Sequence, residues 1–172
     1  MQVFLIRHPR PLIEAGRCYG RLDVDCEDPQ PIAEVLRASI PAGTTIIASP
    51  LRRARHLAEA LTPQVRIDER LSEIDFGDWE GKAWDDIDRA ALDQWAADVL
   101  NFVPPGGESV AQLQMRVINF AKELRVHGIP RVALVSHAGV IRALFGHWRQ
   151  LPDHEWTQLK FEFGSMTALE ID

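Results

Sequence analysis

Three apolar runs in the sequence are each followed by histidine or arginine. The polar segments after these runs are Arg7-His8, Ser49-Pro50-Leu51-Arg52-Arg53 and Ser136-His137. A neutral imidazole is a nucleophile that accepts a phosphoryl group, and a guanidinium group binds two phosphate oxygens at once. A second imidazole, if it is protonated, stabilises charge on the group in transfer. These residue types together predict phosphoryl-transfer chemistry.

Acidic and basic residues are unevenly distributed along the chain. Residues 1–21 contain four arginines and one acid, Glu14, whereas residues 68–88 contain nine acids and two basic residues. A carboxyl group from the acidic segment, placed beside the arginines, could act as general acid for a leaving oxygen. Spacing alone does not choose among four candidates, which equally fit a solvated turn: Glu73, Asp75, Asp78 and Glu80.

The elements that would position these groups alternate along the chain. Short apolar runs predict strands at Val3–Ile6, Thr44–Ala48, Val132–Val135 and Met166–Ile171, the last of them near a sheet edge. Helices are predicted at Pro31–Ser39, Leu51–Leu61, from Val110 to about Gly128, and at Ala138–Trp148. This alternation predicts an α/β domain with a mostly parallel sheet that is covered on both faces. Ligands bind at the carboxyl ends of strands in such sheets, where the histidines and arginines gather.

Other residues have simpler interpretations. Arg55 and His56 fit the solvated face of a helix, and Trp79, Trp84 and Trp95 fit a packing role. The segment Arg70–Pro105 has no clear periodicity, so we expect an excursion from the sheet that is part loop and part helix.

Length and composition limit the classes of protein. The 172 residues predict one domain, residues 1–172, and the 46% apolar content is that of a globular chain. A formal net charge of −6 argues against nucleic-acid or membrane-surface partners. The two cysteines, Cys18 and Cys26, suggest neither a disulfide framework nor a zinc site, and the N-terminus does not resemble a signal peptide. We therefore expect a cytoplasmic protein without membrane helices, and no feature predicts an oligomeric state.

Four blocks of the sequence resemble the histidine phosphatase superfamily, which includes phosphoglycerate mutases and many small phosphatases. They occur in the family's order and span nearly the whole chain: LIRHP at Leu5–Pro9, ASPLRRARHLAEAL at Ala48–Leu61, LSEIDFGDWEG at Leu71–Gly81 and VSHAGVIRALF at Val135–Phe145. The segment Gly16–Asp23 and the compact length are, more specifically, similar to α-ribazole phosphatases.

The resemblance implies a three-layer α/β/α sandwich and a role for each matching residue. His8 matches the phosphorylated nucleophile, and Arg7 and Arg52 match the two phosphate-binding arginines. Glu73 matches the proton donor, and His137 matches the second histidine at the phosphoryl group. The resemblance further implies a metal-independent phosphomonoester hydrolase, without an organic cofactor, that acts on a small-molecule phosphate.

The substrate, with α-ribazole 5′-phosphate as a candidate, would be bound in part by Tyr19 and Arg21, which we place at the pocket from their position in the chain. The sequence departs from the family's pattern at three places near the nucleophile: Pro9, Pro11 and Glu14. Proline at position 9 lacks the backbone N–H of the family's glycine, and we expect Glu14 to face away from the phosphate. Two alternatives stay open, namely a phosphoglycerate mutase and a non-catalytic phosphate-binding or regulatory protein on the same fold.

Overall fold

A five-stranded sheet forms the centre of the protein, whose structure is a computed structural model that describes residues 1–172. The strands are β1 (Gln2–Arg7), β2 (Thr45–Ala48), β3 (Val65–Ile67), β4 (Arg131–Ser136) and β5 (Met166–Glu170). Their order across the sheet is β3-β2-β4-β1-β5. All neighbouring pairs are parallel except β1 with β5, which is antiparallel.

Helices cover both faces of this sheet. They are α1 (Gln30–Ser39), α2 (Arg52–Leu61), α3 (Arg89–Ala97), α4 (Val110–Val126), α5 (Ala138–Arg149) and the short α6 (Asp153–Trp156). Helices α1 and α2 share one apolar cluster with the sheet, and α4 and α5 share another. The three-layer α/β/α sandwich is therefore confirmed. None of these helices combines the length and the apolar character needed to cross a membrane.

The side chains of β1 alternate between the two faces of the sheet and pack against both helical layers. Val3 and Leu5 belong to the cluster with α4 and α5, whereas Phe4 and Ile6 belong to the cluster with α1 and α2. Successive side chains of a strand point to opposite faces, so a continuous apolar run is buried on both sides. All four side chains are at most 4% exposed.

Two short elements were not predicted, β3 and α6. Arg66 and Ile67 of the three-residue β3 are exposed, so this edge strand lacks the apolar run that marks a buried one. The excursion is part loop and part helix, as predicted. It contains α3 and the single 3₁₀ turns Glu69–Leu71, Gly77–Trp79 and Trp84–Asp86.

The order of the strands determines which chain segments meet. Strands β2, β4 and β1 are adjacent and parallel, so their carboxyl ends lie at one edge of the sheet. The backbone N–H of His8 donates to Ser136 O at 3.0 Å, and that of Ser49 donates to Val135 O at 3.0 Å. The ladder thus continues just past the strands and holds the three polar segments side by side.

Candidate active site

His8 and His137 face each other at this edge. Their ring centroids are 5.0 Å apart, and the two residues are 2% and 0% exposed. Each follows the last residue of a central strand, which is a rigid part of the fold. The two imidazoles are therefore held together in a buried position before any ligand binds.

The hydrogen bond at Nδ1 sets the tautomer of His8. This nitrogen lies 2.6 Å from Pro9 O, and because a carbonyl only accepts, Nδ1 carries the proton. Burial, together with the nearby charges of Arg53 and Arg7, lowers the pKa of His8 to about 3. The ring is thus neutral at physiological pH, with an unprotonated Nε2. Pro9 lacks an N–H, but its carbonyl orients the neighbouring imidazole.

His137 is held through its other nitrogen. Nε2 lies 2.7 Å from the hydroxyl of Ser49, which accepts a hydrogen bond from Leu51 N at 3.2 Å. Donation of the hydroxyl proton to Nε2 leaves the proton of the neutral ring on Nδ1, and this buried Nδ1 has no acceptor in the protein. Burial, followed by the charge of Arg53, holds the pKa of His137 well below its ordinary value. His137 therefore presents a neutral N–H donor instead of an imidazolium ion.

Two arginines, the half-buried Arg7 and the fully buried Arg53, accompany the histidines. Arg7 donates through Nη1 to Phe161 O at 2.6 Å, and its guanidinium lies 3.7 Å from the ring centroid of Phe163. Arg53 is 0% exposed and donates to the carbonyl oxygens of Gly20 and Leu22. Burial lowers the pKa of both guanidinium groups, and the Nε of each has no acceptor in the protein. A bound anion would supply acceptors and offset the cost of burying these cations.

The structure does not bring Arg52 into this site, which corrects its predicted placement. Its side chain is 41% exposed and forms ion pairs with Asp23 and Asp25 at 3.4 and 3.0 Å. Successive residues of a helix point about 100° apart, so when Arg53 faces inward at the start of α2, Arg52 faces solvent. The family's Ser-x-Leu-x-Arg-Ala pattern, counted from Ser49, also ends on Arg53 and Ala54, and this signal was available in the sequence.

Arg21 also lies outside the site, in contrast to its predicted placement. Its side chain is 44% exposed and is paired with Asp75 at 3.5 Å and Glu108 at 3.7 Å. Asp75 lies in a loop of the excursion and Glu108 lies just before α4, and these ion pairs hold the Arg21 guanidinium at the surface. Glu14 is 77% exposed and pairs with Arg17 at 2.7 Å, so it faces away from the phosphate-binding groups, as expected.

Glu73 reaches the site from the acidic segment. Its Oε2 accepts from the N–H of Gly139, in the first turn of α5, at 3.1 Å, and its Oε1 accepts from Ile74 N at 3.1 Å. The charge of Glu73 also acts on Arg7 and Arg53 by raising their pKa values. A Cβ atom at position 139 would overlap the carboxylate, so a larger residue there would displace the Glu73 side chain from this position.

Tyr19 and Glu73, which lie near Arg53, also line a cavity of about 340 Å³. The ring of Tyr19 lies 5.6 Å from the Arg53 guanidinium. Most of the other lining residues are apolar and come from the excursion, α4, α5 and α6. The structure thus places Tyr19 beside Arg53 and, with Glu73, at the wall of this cavity.

Glu80, one of the four carboxyl candidates in the acidic segment, has a supporting role that the sequence did not indicate. Its carboxylate accepts hydrogen bonds from four backbone N–H groups, those of Gly20, Arg21, Leu22 and Phe76, at 2.9 to 3.1 Å. The turn it fixes carries two carbonyl groups that accept from Arg53. Glu80 therefore supports the position of Arg53 through the backbone of this turn.

Phe163 and Arg142 are two further residues that the sequence did not indicate. Phe163 precedes β5 and packs over Arg7 and His8, and Arg142 lines the cavity from α5. No group of three or more His, Cys, Asp or Glu side chains in the structure is arranged to hold a metal ion.

Comparison with known proteins gives concordant matches. A family model described as the histidine phosphatase superfamily (branch 1) matches residues 3–172. A glucosyl-3-phosphoglycerate phosphatase of Mycolicibacterium vanbaalenii is 35% identical over an alignment of 178 positions, which covers 92% of this chain and 78% of that protein. An adenosylcobalamin/α-ribazole phosphatase of Salmonella typhimurium is 30% identical over 135 residues, covering 73% of this chain and 66% of that protein.

A solved structure, the α-ribazole phosphatase of Shigella flexneri, superposes with a TM-score of 0.89. It is 25% identical, and the superposition covers 100% of this chain and 91% of that one.

Proposed function

The chain belongs to the histidine phosphatase superfamily and is a phosphatase, and from this premise we propose that it hydrolyses a small-molecule phosphomonoester through a phosphohistidine on His8. One observation carries the assignment of the site. Arg7 Nε, Arg53 Nε and His137 Nδ1 are buried nitrogen atoms without a protein partner, and they belong to three residues that lie near the neutral imidazole of His8. A phosphoryl group provides the oxygen acceptors that such a set of donors requires.

In the first step, His8 Nε2 attacks phosphorus as the bond from phosphorus to the alcohol oxygen breaks. Glu73 in its protonated form gives its proton to that oxygen, so the alcohol leaves neutral. Arg7 and Arg53 bind the phosphoryl oxygens, and the N–H of His137 stabilises the negative charge that develops on them. The product of this step is phosphohistidine with an ionised Glu73.

In the second step, a water molecule takes the place of the alcohol. Glu73 removes a proton from this water, the oxygen attacks phosphorus, and the bond to His8 Nε2 breaks. Inorganic phosphate is released, His8 returns to its neutral form and Glu73 is protonated again. The same carboxyl group therefore acts as acid and then as base.

For the substrate we propose α-ribazole phosphate first, because the Shigella and Salmonella relatives are named for that activity and the fold matches along the whole chain. Glucosyl-3-phosphoglycerate is the second candidate, since the Mycolicibacterium relative is named for it and is 35% identical. Parallel measurement of phosphate release from both compounds would separate the two.

Rapid-quench labelling tests the mechanism. With a radiolabelled phosphomonoester, we expect label on His8 that is labile in acid and stable in base. A His8→Ala variant should show neither label nor turnover. The exposed His127 offers a matched control, and a His127→Ala variant should keep both. Normal turnover by His8→Ala would contradict the proposed phosphohistidine mechanism.

A further inference from the structure

The cavity beside Glu73 lies where the leaving alcohol must go. In an in-line displacement, the leaving oxygen is opposite the attacking His8 Nε2. The proposed proton donor for that oxygen is Glu73, which also lines the cavity together with Gly139 and Tyr19. Whatever is attached to the leaving oxygen therefore extends past Glu73 into this space. This placement rests on the proposed function.

The lining of the cavity is mostly apolar. Nine of its fourteen lining residues are hydrophobic, among them Ile74, Phe76, Trp95, Val110, Leu113 and Trp156. Ligand sites of this kind bind through apolar contact and use a few polar groups for orientation. Here the side chains that are neither apolar nor glycine are Glu73, Gln114, Arg142 and Thr157.

The charges around the cavity do not favour an anionic alcohol. Arg142 is the single cation of the lining, and it directs Nε to Leu159 O at 2.8 Å. Its positive charge also contributes to the lowered pKa of Arg7. An outer cleft that shares Val110, Gln114 and two other residues with the cavity contains Asp153 and His154 and no lysine or arginine. A carboxylate on the alcohol would lose its water among apolar side chains and approach Asp153.

We infer that this cavity is the specificity subsite of the enzyme and that it binds an uncharged aromatic ring carried by the leaving alcohol. Ring systems match the aromatic side chains of Phe76, Trp95 and Trp156. Alcohols that carry a carboxylate, such as glycerate or serine, are selected against.

A set of alkyl phosphates tests the inference without changing the chemistry of the leaving group. Naphthylethyl phosphate and n-butyl phosphate both release a primary alcohol, and they differ in the aromatic ring. We expect kcat/KM for naphthylethyl phosphate to exceed that for n-butyl phosphate by at least about tenfold, since even one methylene in such a pocket changes kcat/KM by about tenfold or more. Phosphoserine and phosphoglycerate should be the poorest substrates.

Two variants assign the preference to this cavity. Gln114→Lys introduces a cation into the lining, and it should lower kcat/KM for naphthylethyl phosphate about tenfold and raise that for phosphoglycerate. Asn119→Lys makes the same change in charge at an exposed position of the same helix, and it should alter neither value. Trp95→Ala should reduce the ratio of kcat/KM for naphthylethyl phosphate to kcat/KM for n-butyl phosphate.

The outcomes separate the two proposals. Hydrolysis of all four compounds with similar kcat/KM, or a preference for phosphoglycerate or phosphoserine, overturns the aromatic subsite and leaves the phosphatase intact. The aromatic subsite is also overturned if Gln114→Lys leaves the ratio of kcat/KM for naphthylethyl phosphate to kcat/KM for phosphoglycerate unchanged. Failure to hydrolyse any phosphomonoester, with a correctly folded protein, contradicts the proposed function itself.

Discussion

Replacement of Arg53 is the most direct test of which arginine, Arg53 or Arg52, binds the phosphoryl group. Arg53 is 0% exposed beside the two histidines, whereas its neighbour Arg52 is 41% exposed on the side chain and paired with Asp23 and Asp25. The matched pair of variants is Arg53→Met and Arg52→Met. Methionine keeps an unbranched apolar side chain and removes the charge and the donors in both cases.

The expected effects differ by more than an order of magnitude. Loss of one preorganised donor group at the reacting oxygens lowers kcat by about 10²–10³, or about 3–4 kcal/mol. We therefore expect Arg53→Met to lose at least about 100-fold in kcat/KM. Arg52→Met removes exposed ion pairs, which contribute about 0–1 kcal/mol to stability, so its kcat/KM should stay within about threefold of the parent.

Stability must be measured beside activity, because Arg53 also supports the turn at residues 20–22. Its removal leaves the carbonyl groups of Gly20 and Leu22 without their donor, at a cost of about 1–3 kcal/mol for each that remains buried. Activity should therefore be measured well below the Tm of each variant. Glu80→Gln loosens the same turn without removing the guanidinium, so it should lower stability more than it lowers kcat/KM.

The pKa of His8 is a second measurement, and it would not change if Arg53 had only a structural role. After burial, the positive charge of Arg53 is the largest cause that lowers this pKa to about 3. Histidine titration by NMR should therefore show a higher pKa for His8 in Arg53→Met, and an unchanged one in Arg52→Met. If Arg52→Met loses activity a hundredfold while Arg53→Met stays near normal, the assignment of Arg53 to the phosphate is refuted.

Three further predictions concern the carboxylate, the histidines and metal ions. Gly139→Ala should lower kcat at least about tenfold without comparable loss of stability, because a Cβ atom there displaces the Glu73 carboxylate, and a normal kcat would contradict the role given to this glycine. The free energy of unfolding should fall as the pH drops below about 6.5, by at most about 1.4 kcal/mol per pH unit for each buried histidine. The unfolded chain binds protons there, whereas folded His8 stays neutral down to about pH 3; urea unfolding at several pH values, with a smaller slope in His8→Asn, checks this. Turnover should be unchanged by EDTA, because arginine and histidine donors contact the phosphoryl group in the proposed mechanism, and inhibition reversed by a divalent metal would contradict it.

Much of the architecture follows from local sequence patterns. The apolar runs before His8 and His137 predict central strands, because only a strand buried on both faces is apolar at every position. The register of β1 with β4 then places the two imidazoles together without any long-range information beyond the alternation of strands and helices. Edge strand β3 was not predicted, since two of its three residues are exposed and carry no such signal.

Other features depend on residues that are distant in the chain. The tautomer of His8, the neutral state of His137 and the low pKa of both require burial against Arg53 and Arg7, which folding alone creates. The cavity is likewise assembled from the excursion and three helices, and neither its volume nor its apolar lining appears in any one segment. Phe163 contacts Arg7 across more than 150 positions of the chain.

The sequence by itself determined the α/β class, the strand ends that carry His8 and His137, and, through its motifs, Glu73. Tertiary structure brought Arg53 instead of Arg52 into the site, in agreement with the Ser-x-Leu-x-Arg-Ala spacing, and placed Arg21 outside it. The physical reason is the same in both cases. The residue type fixes which chemistry a side chain can perform, but direction on a helix and competition from nearby carboxylates determine where that side chain points. Only the folded chain supplies those neighbours.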